Sequence, residues 1–273
     1  MKILILGSNG MAGHIITKYL KDKNYNVGTL ARSDADFCVD IEENNQLENF
    51  FKSKNSECDF LINCIGLLVG ESNNNPLKAI YINSYFPHYL EKKYNNTNTK
   101  IIHLSTDCVF DGLKGNYIES DIHTEINYYG RSKSLGEINN NKDITFRTSI
   151  IGPEKKQNGS GLFHWFTKSS PNKINGWQNA WWNGITTLQL AKCIEKYITN
   201  PKISGIRHLV NNKNRINKYD LLVKIKEIFD IEKTISPSVG LKEIDKVLLD
   251  TIGDLDFEIT DYDTQLRELR LFL

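Results

Sequence analysis

Short apolar runs alternate with segments of helical periodicity through the first half of the chain. The apolar runs predict strands, and the segments between them carry apolar residues three and four positions apart, as one face of a helix does. The predicted strands lie at residues 2–6, 26–31, 60–64, 100–105 and 144–148, and the predicted helices at about 11–23, 44–54, 78–94 and 128–138. This alternation predicts an α/β fold with a doubly wound parallel sheet covered by helices on both faces.

The first predicted strand runs directly into a turn that contains three glycines. Gly7, Gly10 and Gly13 follow the strand, and a helix is predicted to begin near Met11. The unpaired N-terminal amides and the positive dipole end of that helix point at whatever lies over the glycines. A dinucleotide pyrophosphate fits this place, since Gly10 allows close approach of the phosphate and Gly13 allows close packing of helix on strand. A crossover that binds nothing also uses glycines, so the turn alone leaves that alternative open.

The chain changes character after residue 152. The next segment is rich in Gly, Asn, Ser and Trp without a clear period, which predicts loops and short elements over the carboxyl ends of the strands, where ligands bind. A helix at 187–198 and a strand at 207–210 are predicted to return to the sheet, and helices near 218–229 and 263–272 to build a cap. We therefore expect a Rossmann-type dinucleotide-binding domain at residues 1–152 with return elements at about 185–211, and a small substrate-binding cap at 153–184 and 212–273.

The ends of the second and third predicted strands carry residues suited to the adenosine half of a dinucleotide. Arg32 and Ser33 stand where an acidic residue would favour NAD, and they offer donors to a 2′-phosphate. This favours NADP(H) and leaves NAD(H) open, with a solvated strand-end charge as the alternative for Arg32. The residues assigned to the cofactor are Gly7, Asn9, Gly10, Met11, Gly13, Arg32, Ser33, Asp40, Ile41, Cys64, Ile65, Gly66, Asn83, Tyr129 and Lys133.

A tyrosine followed four residues later by a lysine occurs three times, so the pattern by itself proves nothing. Only Tyr129 with Lys133 follows a strand that ends near Thr106, which places the pair at the same sheet edge as the glycine turn. On a helix this spacing puts phenol and ammonium on one face, where the cation is expected to favour the phenolate. Thr106 is suited to orient a carbonyl while Tyr129 transfers a proton, which describes a carbonyl reductase.

Four motifs carry a resemblance to a known family. They are GSNGMAG at 7–13, STDCVFDG at 105–112, YYGRSKSLGE at 128–137 and RTSIIGPE at 147–154. Together they resemble the extended short-chain dehydrogenase/reductase superfamily and, within it, the dTDP-4-dehydrorhamnose reductase family. The resemblance implies that Thr106, Tyr129 and Lys133 are catalytic. It also implies a nucleotide-linked 4-keto-6-deoxy sugar as substrate, dTDP-, UDP- or GDP-linked, in deoxysugar and cell-surface polysaccharide biosynthesis.

Two departures from the family pattern concern the sugar. Cys108 stands where the family commonly has an aromatic residue, and Ile150 where it commonly has tryptophan. They leave the reductase chemistry in place and leave the sugar's identity open. The residues assigned to the substrate are Thr106, Asp107, Cys108, Ile150, Trp182 and Asn183, with packing as the alternative for the tryptophan.

Two other functions remain alternatives. One is a nucleotide-sugar epimerase or dehydratase of the same superfamily; a dehydratase is disfavoured because Cys108, not a second carboxylate, follows Asp107. The other is a cofactor-binding regulatory subunit without turnover, against which the Thr, Tyr and Lys set argues.

Composition limits the remaining function classes. The 34 basic and 33 acidic side chains nearly cancel, so nucleic acid and anionic membrane surfaces are not expected partners. Five cysteines without a CxxC motif suggest reduced thiols and a cytoplasmic protein. The sequence shows no ligand spacing typical of a metal site, and neither a secretion leader nor a membrane span is expected. His103 is expected to be a packed residue, and the role of His164 is undecided. A homodimer is left open.

Overall fold

The computed structural model describes residues 1–157 and 159–273. Within them the strands in chain order are β1 (Lys2–Leu6), β2 (Asn26–Ala31), β3 (Phe37–Cys38), β4 (Phe60–Asn63), β5 (Lys100–Thr106), β6 (Ile144–Thr148), β7 (Ile150–Ile151), β8 (Lys173–Trp177), β9 (Ala180–Trp182), β10 (Ile185–Thr186), β11 (Gly205–His208), β12 (Ile216–Asn217), β13 (Thr234–Ser238) and β14 (Ile244–Asp245). Seven of them form one sheet in the order β3-β2-β1-β4-β5-β6-β11, with every neighbouring pair parallel. This confirms the predicted α/β fold of Rossmann type.

The helices follow the predicted positions closely in the first half of the chain. The helices are α1 (Met11–Asp22), α2 (Asn44–Lys52), α3 (Val69–Asn74), α4 (Pro76–Ala79), α5 (Phe86–Tyr94), α6 (Tyr128–Leu135), α7 (Leu162–His164), α8 (Thr187–Thr199), α9 (Lys218–Ile228) and α10 (Tyr262–Phe272). The residues predicted as one helix at 78–94 form the end of α4, a π-helical turn at Ile80–Tyr85 and α5 in direct succession.

The interior strand β1 is buried on both faces because its side chains alternate between two hydrophobic cores. Ile3 and Ile5 belong to the core that includes α1 and α8. Leu4 and Leu6 belong to the core that includes α2 and α5. The sheet therefore carries helices on both faces, and its carboxyl edge is left for the residues that follow the strands.

The second half of the chain contains small sheets that the sequence did not predict. β9 pairs with β12 and β14, β8 pairs with β13, and β7 pairs with β10. A separate hydrophobic cluster lies under them, built from residues that include Phe166, Ile174, Leu221 and Leu266. The division of the chain into a domain and a cap at the predicted boundaries stays a prediction.

Candidate active site

The glycine turn is too tight for side chains at two of its positions. Gly7 has a φ of +76°, a region that favours glycine. A Cβ at Gly13 would lie 2.2 Å from the carbonyl oxygen of Gly7. The helix α1 begins at Met11 without a side chain that caps its first amides. Exposed backbone donors at a helix N-terminus over a glycine turn fit the pyrophosphate of a dinucleotide.

The predicted adenosine side lies beside this turn. Asn9 donates a hydrogen bond from Nδ2 to the carbonyl oxygen of Ser33 at 2.6 Å, which ties the glycine turn to the loop after β2. Arg32 and Ser33 are exposed. Asp34 follows them, and its carboxylate accepts a hydrogen bond from the Ser33 hydroxyl at 3.1 Å. The loop therefore offers both a guanidinium and a carboxylate, and its contacts with a cofactor stay predictions.

The other predicted cofactor residues lie in segments that hydrogen bonds hold in place. Tyr81 donates its hydroxyl proton to the carbonyl oxygen of Ile41 at 2.7 Å, and the Asp40 carboxylate accepts from the backbone amide of Glu42 at 3.1 Å. The segment Cys64, Ile65 and Gly66 follows β4, and the Ile65 amide donates to Asn63 Oδ1 at 3.2 Å. Contacts of these residues with a cofactor also stay predictions.

Asn83 braces the segment after β4 against α6. Its Oδ1 accepts from the Leu67 amide at 2.8 Å, and its Nδ2 donates to the Ser132 hydroxyl at 3.1 Å. Asn83 is buried, and it lies in the π-helical turn. These hydrogen bonds act between parts of the protein next to Lys133, and a contact of Asn83 with a cofactor stays a prediction.

The catalytic candidates come together between the end of β5 and the start of α6. The Asn127 side chain caps α6 by accepting from the Gly130 amide at 2.9 Å. A Cβ at Gly130 would lie 2.3 Å from the carbonyl oxygen of Cys108, so α6 packs directly on the segment after Thr106. The Thr106 hydroxyl donates to Asp107 Oδ1 at 3.1 Å and accepts from the Cys108 amide at 3.1 Å.

The Tyr129 phenol has a raised pKa, which contradicts the expectation that a cation lowers it. Burial raises its pKa, the nearby Cys108 and Asp107 raise it further, and a hydrogen bond with Thr106 acts in the opposite direction. The expectation was wrong because it considered the ammonium four residues along the helix and not the desolvation of the phenol. At neutral pH the phenol therefore keeps its proton.

Lys133 is buried and points at the backbone of β5. Its Nζ donates to the carbonyl oxygen of Leu104 at 2.7 Å. Burial lowers the pKa of Lys133 to about 8, while Glu137 and Cys64 act to raise it. This hydrogen bond fixes the position of the Lys133 amine beside the end of β5, which carries Thr106.

Lys246 reaches this site from the C-terminal part of the chain, and the sequence analysis missed it. Its Nζ lies 3.3 Å from Glu125 Oε2, and both side chains are less than one-fifth exposed. Burial acts to lower the pKa of Lys246, but Cys108, Asp107 and Glu125 raise it above its ordinary value. Burial raises the pKa of Asp107, against which the Lys246 charge acts. A lysine isolated in the tail has no local motif that could have identified it.

The other substrate candidates lie in the small sheets or directly after one of their strands. Ile150 lies on β7 and pairs with Ile185. Trp182 stacks on Tyr262 with ring centroids 5.6 Å apart. Asn183 is buried, and its amide donates to and accepts from the backbone of Leu248 at 2.7 and 3.0 Å. The structure therefore gives Trp182 and Asn183 packing roles, and their contacts with a substrate stay predictions.

The two histidines considered from the sequence are both buried. His103 is fully buried, and its Nδ1 lies 3.2 Å from Asn63 Nδ2, which confirms a packed residue. His164 Nε2 lies 3.1 Å from the carbonyl oxygen of Gln157. Within residues 1–157 and 159–273, no three His, Cys, Asp or Glu side chains are grouped as metal ligands would be. In the same part of the chain, no helix is long and apolar enough to cross a membrane.

A family model described as the RmlD substrate binding domain matches residues 1–244. The chain belongs to the RmlD substrate binding domain family. The fold and the four motifs agree with this membership, so the resemblance inferred from the sequence is confirmed.

Relatives of this RmlD-family chain include reductases. A probable low-salt glycan biosynthesis reductase of Haloferax volcanii is 31% identical over 50% of this chain and 48% of its own length. A dTDP-4-dehydrorhamnose reductase of Mycolicibacterium smegmatis is 29% identical over 50% of this chain and 40% of its own length. These matches span about half the length of each relative or less. A third relative, the methionine adenosyltransferase 2 subunit beta of Bos taurus, is 24% identical over 92% of this chain and 82% of its own length.

Solved structures share the fold over nearly the whole RmlD-family chain. A hypothetical dTDP-4-dehydrorhamnose reductase from Sulfolobus tokodaii has a TM-score of 0.78 at 26% identity, covering 96% of this chain and 98% of that one. A dTDP-4-dehydrorhamnose reductase from Bacillus anthracis in complex with NADP has a TM-score of 0.81 at 18% identity, covering 99% and 98%. The second likeness supports the fold alone.

Proposed function

We propose that the protein is an NADP(H)-dependent reductase of a nucleotide-activated 4-keto-6-deoxy sugar. One observation carries the proposal: Thr106 and a protonated Tyr129 lie together at the sheet edge that also carries the glycine turn, in a chain of the RmlD family. Bound NADPH supplies the hydride, which is transferred to C4 of the sugar. The pathway would be deoxysugar biosynthesis for cell-surface polysaccharides.

The raised pKa of Tyr129 suits the direction of reduction. A phenol that keeps its proton at neutral pH is a proton donor for the oxygen of a carbonyl as that oxygen gains negative charge. Thr106 offers a hydroxyl beside it that orients the carbonyl. Lys133, with a pKa of about 8, is largely an ammonium at neutral pH and stabilises negative charge at this end of α6.

The preference for NADP(H) rests on the loop after β2. The exposed guanidinium of Arg32 and the hydroxyl of Ser33 suit a 2′-phosphate, and the Bacillus anthracis structure of the same fold is a complex with NADP. The Asp34 carboxylate beside them would suit ribose hydroxyls instead, so NADH belongs in every assay as the competing cofactor.

Loss of NADPH absorbance tests the proposal directly. The purified protein is mixed with NADPH and a panel of dTDP-, UDP- and GDP-linked 4-keto-6-deoxy sugars made in place by dehydratases, with NADH in parallel. Oxidation with one sugar, lost in Tyr129→Phe and kept in Tyr89→Phe, is the expected result. NADPH binding without oxidation by any sugar would overturn the proposal.

A regulatory subunit is the second candidate function. It is favoured by the match to methionine adenosyltransferase 2 subunit beta, which covers 92% of this chain, whereas the matches to the Haloferax volcanii and Mycolicibacterium smegmatis reductases each cover 50%. The same assay separates the two, because a subunit without turnover binds NADPH and leaves it unoxidised with every sugar.

A further inference from the structure

A buried ion pair lies directly behind the catalytic candidates. Arg147 on β6 donates from Nε to Glu137 Oε1 at 2.9 Å and from Nη2 to Glu137 Oε2 at 2.7 Å. Their side chains are 1% and 3% exposed. Two desolvated charges are stable there only when their geometry and remaining hydrogen bonds are satisfied.

The remaining donors of Arg147 are directed at neutral acceptors. Nη1 lies 2.8 Å from His208 Nε2, and Nη2 lies 2.9 Å from His123 Nε2. Each imidazole meets a different partner with its Nδ1, the carbonyl oxygen of Leu249 for His208 and the Ser134 hydroxyl for His123. Burial and the Arg147 charge lower the pKa of His208 to about 4, so it remains a neutral acceptor.

Glu137 connects this pair to both catalytic elements. The Ser105 hydroxyl donates to Glu137 Oε1 at 2.6 Å, and Ser105 immediately precedes Thr106 on β5. Glu137 follows Lys133 by four residues, just past the end of α6. The chain leaves the helix at Gly136, where a Cβ would lie 1.8 Å from the carbonyl oxygen of Asn83. The carboxylate is thus held between the strand end and the helix end.

Three titratable groups act on the Lys133 amine. They are Glu137 after α6, Cys64 at the end of β4 and His103 on β5. Burial raises the pKa of Cys64 to about 12 and holds the pKa of His103 well below its ordinary value. Both are therefore neutral near pH 7, whereas Arg147 and Ser105 keep the pKa of Glu137 below its usual range despite burial. Of the three, Glu137 supplies the negative charge.

We propose that Glu137, held by Arg147 and Ser105, is a positioning residue that fixes the end of α6 against the end of β5 and keeps the Lys133 amine charged for catalysis. The catalytic part of this inference rests on the proposed reductase function. The part that concerns the charge of Lys133 is a property of the folded chain.

The test is a titration of Lys133 in Glu137→Gln. The Cε signal of Lys133 is followed by nuclear magnetic resonance against pH and assigned by its loss in Lys133→Met. Removing the carboxylate should move the midpoint to lower pH by at least about half a unit. The high-pH decline of NADPH oxidation should move in the same direction and by the same amount. An unchanged midpoint in a folded Glu137→Gln protein would overturn the proposal.

Two further variants keep the test decisive. Ser105→Ala leaves the ion pair intact and is expected to fold even where Glu137→Gln does not, and it should lower kcat several-fold with the NADPH Kd unchanged. Glu137→Asp should restore most of the Lys133 midpoint, since it keeps the charge. Wild-type kcat in Ser105→Ala would refute the positioning role, and a wild-type midpoint in a folded Glu137→Gln protein would refute the role in keeping Lys133 charged.

A matched control is the partly exposed ion pair between Arg207, on the neighbouring strand β11, and Asp254, with two contacts of 2.7 Å. Arg207→Gln should leave both the Lys133 midpoint and kcat unchanged. If the wild type oxidises NADPH with none of the sugars, the proposed function fails while the titration still decides the link between Glu137 and Lys133.

Discussion

The Lys133 amine donates a hydrogen bond to the backbone carbonyl oxygen of Leu104, 2.7 Å away. Leu104 lies two residues before Thr106 on β5, so this contact fixes α6, which carries the proposed proton donor, against the strand that carries the proposed carbonyl-orienting hydroxyl. The geometry explains why burial, not a pairing with the phenol, dominates the pKa values of both Lys133 and Tyr129.

Tyr129→Phe should lower kcat by at least about a hundredfold, because it removes the proposed proton donor and little else. The NADPH Kd, measured by fluorescence titration, should stay within about twofold. The control is Tyr89→Phe. The Tyr89 hydroxyl donates to Glu48 Oε1 at 2.9 Å, between helices α5 and α2. Near-normal turnover in Tyr129→Phe would exclude this residue as the acid.

The pH dependence of kcat/KM should reflect the charge of Lys133. Its pKa of about 8 lies below that of an ordinary lysine, so the ammonium is present below that pH and is lost above it. We expect kcat/KM for NADPH oxidation to decline as pH rises through about 8, and Lys133→Arg to lose that decline because arginine stays protonated. A profile that is flat to pH 10 would contradict this role.

Arg32→Ala should weaken NADPH binding by about tenfold and leave NADH binding nearly unchanged, since it removes one donor to a 2′-phosphate. Equilibrium titration of both cofactors measures the two effects. Lys21→Ala, at an exposed site in the last turn of α1, is the control for a simple loss of positive charge. An equal loss of affinity for both cofactors would show that Arg32 does not bind the 2′-phosphate.

Gly13→Ala should destabilise the protein by more than about 1 kcal/mol, because its methyl group would lie 2.2 Å from the Gly7 carbonyl oxygen. Denaturant unfolding measures the effect, and cofactor binding should be lost with it. Gly70→Ala on α3 is the matched control, since no atom lies within 4 Å of its added carbon. That variant should be neutral or up to about 1 kcal/mol more stable, and a similar loss in both would remove the steric explanation.

The sequence predicted the parts of the fold whose signals are local. The glycine turn directly follows β1, and all four residues of β1 from Ile3 to Leu6 are apolar and buried. A short apolar run that ends at a glycine turn is typical of a strand buried on both faces. The four helices predicted in the first half agree for the same reason, whereas α3 was not predicted. β3 was missed because two residues carry no periodicity, and its pairing with β2 depends on the sheet.

The small sheets and the charged groups of the site were beyond local signals. β8 pairs with β13, more than fifty residues later, and β13 contains a proline and two serines. Lys246 contacts Glu125 although the two residues are far apart in the sequence. The direction of the Tyr129 pKa shift depends on how deeply the phenol is buried, which the spacing of four residues to Lys133 does not determine.

The hydrogen-bond network around Arg147 joins segments of the chain that leave the ribosome at different times. Its acceptors come from residues as far apart as Glu137 and His208, and His208 is completed by the Leu249 carbonyl oxygen. Domains generally begin to fold from their N-terminal part during synthesis. The acceptor set of the guanidinium is therefore complete only after β11 and the segment that contains Leu249 have emerged, so the network that holds Glu137 beside the end of α6 closes after both have been made.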